Sequence, residues 1–218
     1  MSVQLLRWVL FALFLAGLGA VNALAEEGGE FPVCLLGDPA VGEEKSQVCA
    51  ACHEKDGNSL VPVWPKIAGQ LERYLAKELK AYRSGEKGGR PDPTMAGMTQ
   101  SLTDRDIADL AAYFAKQSMK PGAAQQPLVA LGERIYRGGN LASGVPACAS
   151  CHGVTGQGNL PANFPRLSGQ FAEYTSDQLK KFRSGTRSDD VNGIMRDIAK
   201  RMTDEEIQAV SSYVSGLH

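Results

Sequence analysis

This chain has almost no surplus of positive or negative charge. Its 218 residues hold twenty-three Lys and Arg against twenty-four Asp and Glu, for a net charge of −1. There is no basic surplus for a phosphate backbone to attract, which argues against a nucleic-acid role. Beyond the N-terminus no stretch is apolar enough to cross a membrane. No segment alternates apolar and polar residues as a half-buried strand does, which points to an all-α fold. Histidine and cysteine are scarce, at three and five residues. What small charge asymmetry exists runs along the chain. Residues 26–120 carry fifteen acids and twelve bases, and residues 121–218 carry nine and ten. This is either a chance fluctuation or a dipole that orients docking.

The scarce residues are concentrated. Four of the cysteines and two of the histidines fall into one pattern used twice: Cys49-Ala50-Ala51-Cys52-His53 and Cys148-Ala149-Ser150-Cys151-His152. Cysteines three apart on a turn of helix point to the same side, where both can bond the vinyl edges of one porphyrin. The histidine that follows lies beneath the iron. The pattern predicts two covalently attached c-type haems and a role in handling electrons. Two rivals use the same thiols: a structural zinc, drawing on the four thiolates and histidine, and a thioredoxin-like dithiol in a strand-helix-strand setting. Neither accounts for His after the second Cys in both copies.

The first residues read as a secretory signal. Arg7 precedes the apolar run Trp8 to Leu18, and Ala23-Leu24-Ala25 gives the small-x-small cleavage pattern before Glu26. Residues 1–25 are therefore expected to be a signal peptide; the alternative is an uncleaved anchor over Trp8 to Ala25. Either places the folded part outside the cytoplasm, in the periplasm, where bacteria also attach haem. Cys34 is left over, either as a buried free thiol or as half of an intermolecular disulfide.

The two halves repeat each other. Pro65-Lys66-Ile67-Ala68-Gly69-Gln70 recurs as Pro165-Arg166-Leu167-Ser168-Gly169-Gln170, and Tyr82-Arg83-Ser84-Gly85 as Phe182-Arg183-Ser184-Gly185. Thr103-Asp104 with Ile107 and Tyr113 recurs as Thr203-Asp204 with Ile207 and Tyr213. The spacing is one hundred residues, and ninety-nine at the Cys-x-x-Cys-His motifs. A tandem duplication is predicted, with domains over 26–117 and 128–218 and a Pro-, Gly- and Gln-rich linker over 118–127. Each domain is small for a self-sufficient core, and a porphyrin would supply the missing apolar surface. Leu71, Tyr74, Leu75, Leu79 and Tyr82 form a helical stripe ended by Gly85, matched by Phe171, Tyr174, Leu179 and Phe182 before Gly185. A last helix in each half opens at Thr103 or Thr203, the second with a capping box and the first with a near version.

The sixth iron position decides between electron transfer and substrate binding, and methionine is the usual electron-transfer ligand. Met98 stands opposite Ile198 and Met202 opposite Leu102, as packing positions do. Met95 and Met195 coincide, each eight residues before the Thr-Asp pair, and are the expected ligands, with Met98 as the alternative in the first domain. Each proximal His needs an acceptor for its Nδ1 proton. Pro65 and Pro165 offer carbonyls, or are ordinary loop prolines. Arg83 and Arg183 are candidates to neutralise haem propionates, or are solvated helix ends. Trp64 and Phe164 read as core or haem-packing residues.

The two Cys-x-x-Cys-His motifs, the paired Pro-x-(Ile/Leu)-x-Gly-Gln segments, the two Met-x7-Thr-Asp blocks and the ending Ser212-Tyr213-Val214-Ser215-Gly216-Leu217-His218 resemble the dihaem cytochrome c4 family over the whole mature chain. The resemblance implies two class I cytochrome c folds joined by a short linker, with haems facing across the boundary. It implies haem on Cys49 and Cys52 and on Cys148 and Cys151, with irons ligated by His53 and Met95 and by His152 and Met195. It further implies a non-enzymatic, soluble or loosely membrane-associated carrier between a quinol:cytochrome c oxidoreductase and a haem-copper terminal oxidase. The alternatives are the dihaem subunit of an enzyme such as a sulfide-oxidising flavocytochrome, or a dihaem peroxidase. Two features depart from the family: the acidic segment 24–44 with Cys34, and extra residues 138–146 in the second domain.

Overall fold

The described residues, 36–218, of the computed structural model form ten α-helices and two short 3-10 helices joined by turns and loops. The signal segment 1–25 and Cys34 lie outside the described residues. The first half runs α1 (Pro39–Lys45), α2 (Gln47–His53), α3 (Glu72–Arg83), α4 (Pro93–Thr99) and α5 (Asp104–Ala115). The second runs α6 (Gln126–Gly138), α7 (Ala149–His152), α8 (Ala172–Ser184), α9 (Ile194–Ala199) and α10 (Asp204–Ser215). The only pairings of strand type among the described residues are isolated bridges, Asn140 with Val145 and Asn159 with Phe164. The first of these closes the extra segment 138–146 into a turn.

Local chemistry sets the helix ends. Thr203 and Glu206 form the expected capping box, and Thr103 and Asp106 form a complete one as well. Asp106 is long enough to reach back to the Thr103 N–H at 2.8 Å, so the near version closes too. Gly85 and Gly185 take φ of +60° and +80° just past their helices, as the sequence predicts.

In each half the first helix crosses the last, α1 on α5 and α6 on α10. Gly42 and Gly132 sit at these crossings. A β-carbon on either would collide with the backbone carbonyl of Asp109 or Ala209, so glycine permits the close approach. Leu75, Leu110, Ala111, Tyr113 and Phe114 form the first core. Ile135, Tyr136, Val145, Met202, Ile207, Val210, Val214 and Leu217 form the larger second one.

A reciprocal clamp joins the halves. Gln70 Nε2 donates to the Arg166 carbonyl at 2.9 Å and its Oε1 accepts the Arg166 N–H at 2.8 Å. Gln170 does the same to Lys66, at 2.8 and 3.0 Å. Both amides are buried. The segment 118–127 is pinned along its length. Asn58 holds the Ser118 carbonyl and the Lys120 N–H, and the Gly122 and Gln125 N–H groups bond Ser215 and Ser212. Helix α6 starts at Gln126, inside the predicted linker, because Pro127 suits a first helical turn.

Candidate functional site

Both pentapeptide motifs lie on helical turns. Cys49, Cys52 and His53 are on α2, and Cys148 caps α7, which carries Cys151 and His152. The four thiols are unbridged and half-buried. Burial pushes the Cys148 thiol up to about 11 and raises that of Cys49. The helical setting of both motifs lacks the strand-helix-strand frame that the thioredoxin-like rival expects. Among the described residues no three of His, Cys, Asp and Glu converge as a metal cage, so the thiolates do not assemble the tetrahedral set of a structural zinc.

The imidazoles are prepared as ligands. His53 Nδ1 bonds the Pro65 carbonyl at 2.8 Å, and His152 Nδ1 bonds the Pro165 carbonyl at 2.9 Å. These bonds place the proton on Nδ1 and leave Nε2 with its lone pair, as a haem ligand requires. Burial holds both imidazoles below their ordinary pKa, although the proline carbonyl pulls the other way. The proline loops are set by Gly57 and Gly156. Each carbonyl accepts two N–H bonds from the loop, Ile67 and Ala68 or Leu167 and Ser168, at 2.8 to 3.1 Å. Both glycines have positive φ, and a β-carbon there would lie 2.8 or 3.0 Å from a loop nitrogen. Tyr113 and Tyr136 tie down the turn after each motif, donating to the carbonyls of Lys55 at 2.9 Å and Gly153 at 2.6 Å. The Phe164 ring lies 6.2 Å from that of His152, whereas Trp64 is exposed, so the two are not equivalent core residues.

Met95 on α4 and Met195 on α9 are half-buried. Met98 is 43% exposed, and Met202 is packed in the second core.

Arg83 and Arg183 are engaged at helix ends. Arg83 bonds the Leu102 carbonyl at 2.7 Å and Asp104 at 2.5 Å, and Arg183 bonds the Met202 carbonyl at 3.3 Å and Asp204 at 2.6 Å. The guanidiniums tie α3 to the start of α5 and α8 to the start of α10. The arginines that the sequence reading missed are Arg90 and Arg187, each 5% exposed at the boundary between halves. Arg90 lies over the Tyr82 ring and donates across the boundary to Tyr174 Oη at 2.8 Å. Arg187 lies over the Phe182 ring and donates to Tyr74 Oη at 2.9 Å. Arg90 Nε and Nη1 are buried without a hydrogen-bond partner; Nη1 meets Glu78 at 2.6 Å as a charge contact only. Unsatisfied buried guanidinium atoms fit a group that brings carboxylates. The unbridged thiols, the oriented histidines and this cluster together fit haem.

Known proteins place the chain in a family. The sequence pattern of the cytochrome c family matches residues 42–118 and again 129–218. Cytochrome c4 of Azotobacter vinelandii is 50% identical over 189 residues, covering 84% of this chain and 90% of that protein. The chain belongs to the cytochrome c4 family. The solved structure of reduced recombinant cytochrome c4 from Pseudomonas stutzeri aligns with a TM-score of 0.81 at 46% identity, covering 84% of this chain and all of that one. A protein described as a thiosulfate dehydrogenase electron acceptor, from Thiomonas intermedia, is 35% identical over 182 residues, 81% of each chain. As a cytochrome c4, the chain is all-α with two cytochrome c domains. It carries two covalent haem c groups, on Cys49 and Cys52 and on Cys148 and Cys151, and it is an electron carrier.

Proposed function

We propose that this cytochrome c4 is a periplasmic carrier that takes single electrons from a quinol-oxidising complex and passes them to a haem-copper terminal oxidase. His53 and Met95 ligate one iron, and His152 and Met195 the other. The matched pair of histidine-to-proline bonds, at 2.8 and 2.9 Å, carries the reading, beside one half-buried methionine per domain at the same place in the repeat. Residues 26–117 and 128–218 are the two haem domains, 118–127 links them, and 1–25 is the export signal. Among the described residues no helix is long and apolar enough to cross a membrane, which suits a carrier that docks and leaves.

Haem supplies one-electron Fe(III)/Fe(II) chemistry. The chain's residues set its terms. The Pro65 and Pro165 carbonyls fix the imidazoles, the Met95 and Met195 thioethers would help hold the irons and would raise their potential, and Arg90 and Arg187 would offer cationic donors to haem carboxylates. Irons held by both His and Met would have no place for oxygen or peroxide to bind, which is what sets this reading apart from the peroxidase alternative. Absorption spectra and redox titration of Met95→Ala and Met195→Ala test it. Each variant is expected to lose the methionine-to-iron charge-transfer band of one haem and to lower that haem's potential, within the roughly 0.8 V that axial ligands command. Unchanged spectra in both would refute the ligands.

The relative described as a thiosulfate dehydrogenase electron acceptor favours a second reading, in which a sulfur-oxidising dehydrogenase is the donor. Stopped-flow reduction by each donor separates the two: faster reduction by thiosulfate dehydrogenase with its substrate than by the quinol-oxidising complex selects the second. Co-purification with a stoichiometric flavoprotein would instead mark the chain as a flavocytochrome subunit.

A further inference from the structure

The near-symmetry of the two halves breaks in a buried charge cluster, and Glu78 lies at its centre. Helices α3 and α8 carry Tyr74 and Tyr174, Glu78 and Gln178, and Tyr82 and Phe182 at equivalent places. The tyrosines and the ring beneath each arginine are matched, but position 78 is a carboxylate and position 178 a neutral amide. Glu78, 5% exposed, serves both arginines: its Oε2 lies 2.6 Å from Arg90 Nη1 and 3.0 Å from Arg187 Nη2. Its Oε1 takes Lys77 Nζ at 2.9 Å. Gln178 accepts from Arg187 Nη1 at 3.0 Å. The other acid of the cluster, Asp189, is divided between Arg187 Nε at 2.8 Å and Lys77 Nζ at 2.5 Å.

We propose that Glu78 sets the two haems apart in reduction potential: its carboxylate, against the neutral Gln178, lowers the first-domain haem relative to the second. The inference rests on the reading that Arg90 and Arg187 face the haems. Each iron gains one electron on reduction, Fe(III) to Fe(II), so a nearby fixed negative charge opposes reduction and a fixed positive charge favours it. Burial keeps such a charge effective, because water screens it little. Glu78 belongs to α3, which packs on α4, the helix of Met95. Gln178 belongs to α8, which packs on α9, the helix of Met195. The carboxylate therefore acts more strongly within the first domain, and it offsets the arginine charge that would otherwise raise both potentials together. Glu78 is a positioning and tuning residue, acting through the arginines it pairs with.

Redox titration of the holoprotein and of the Glu78→Gln, Glu78→Asp and Gln178→Glu variants tests this, with the haems assigned by repeating the titrations in a Met195→Ala background. Glu78→Gln is expected to raise both potentials, the first-domain haem more. It should shift the electron-exchange constant between the haems by about tenfold, which for a one-electron couple is 59 mV. Gln178→Glu should lower both potentials, the second-domain haem more, and so move the exchange constant the same way from the opposite side. Glu78→Asp keeps the charge and should leave the constant near that of the wild type. Equal shifts of both haems in Glu78→Gln would overturn the proposal, as would the same change in Glu78→Gln and Glu78→Asp. Should Glu78→Gln fail to fold, Gln178→Glu and Glu78→Asp decide by the same criteria. A wild-type spectrum without the methionine-to-iron band would fault the ligand assignment, and one with it would leave Glu78 alone on trial.

Discussion

Glu54, the residue after the first haem histidine, occupies backbone space that suits glycine. Its φ is 62° and its ψ 162°, and its counterpart in the second domain is Gly153, at 82° and 154°. For a side chain that conformation costs on the order of 1–3 kcal/mol. It persists because the chain must turn sharply out of α2 toward Gly57, and the Glu54 N–H still closes the helix on the Ala50 carbonyl at 3.1 Å. Glu54→Gly relieves the strain but gives back about 0.5–1 kcal/mol of unfolded-chain entropy. We expect a net gain of about 1 kcal/mol, read as a higher denaturant midpoint at unchanged slope. A variant less stable than wild type would show that the Glu54 side chain contributes more than its backbone costs. The pair also shows how much a repeat discloses at single-residue scale. The proline carbonyls were legible because both copies share them. The strain at Glu54 was legible only as a mismatch, and φ is not written in composition.

At the scale of elements, the crossings α1 on α5 and α6 on α10 depend on one glycine each. The β-carbon of an alanine at Gly42 or Gly132 would meet backbone, which cannot swing aside. Gly42→Ala and Gly132→Ala are therefore expected to lose about 1–3 kcal/mol, measured by thermal unfolding of the holoprotein. Gly138→Ala is the control: nothing lies within 4 Å of its added carbon, and it should gain a fraction of the roughly 1 kcal/mol difference in helix propensity. Stability unchanged by Gly42→Ala would mean that the crossing yields. The helices themselves were readable, because apolar period, caps and terminal glycines agree along α3, α5, α8 and α10. The crossings were not. Gly42 and Gly132 are ninety residues apart while the haem motifs are ninety-nine apart, since the extra segment 138–146 falls between them, so the two glycines do not line up in the register of the repeat. The arginine pair was hidden for a related reason. Arg90 and Arg187 are ninety-seven residues apart, and their partners across the boundary, Tyr174 and Tyr74, are 84 and 113 residues away. Arg83 and Arg183, in perfect register, are the pair that the repeat displays instead.

For the whole molecule, the question is whether two small domains behave as one. The first core holds five buried residues and the second eight, so alone the first should be the weaker. What joins them is polar and buried: the Gln70 and Gln170 amides on opposite backbones, and Lys66, whose ammonium is capped by the Lys120 and Gly169 carbonyls at 2.6 and 3.2 Å. Burial, and then the nearby Lys120 charge, hold Lys66 below its ordinary pKa, so this cation is tolerated rather than paired. Buried amides of this kind are costly to leave half-satisfied. Removing one strands a backbone N–H and C=O at about 1–3 kcal/mol for each group. Gln70→Ala and Gln170→Ala are each expected to destabilise the protein, and the double variant to uncouple it. The wild type should unfold in a single denaturant transition by circular dichroism and by haem absorbance alike. Gln70→Ala/Gln170→Ala should show two, the first-domain haem losing its native spectrum at the lower concentration. A single coincident transition in the double variant would locate the coupling elsewhere, in the Arg90, Arg187 and Glu78 cluster, whose charges would then hold the domains together as well as tune the haems. The two outcomes differ in salt dependence: coupling through the amides should be insensitive to ionic strength, whereas coupling that reaches the half-exposed Lys77 should weaken as salt rises.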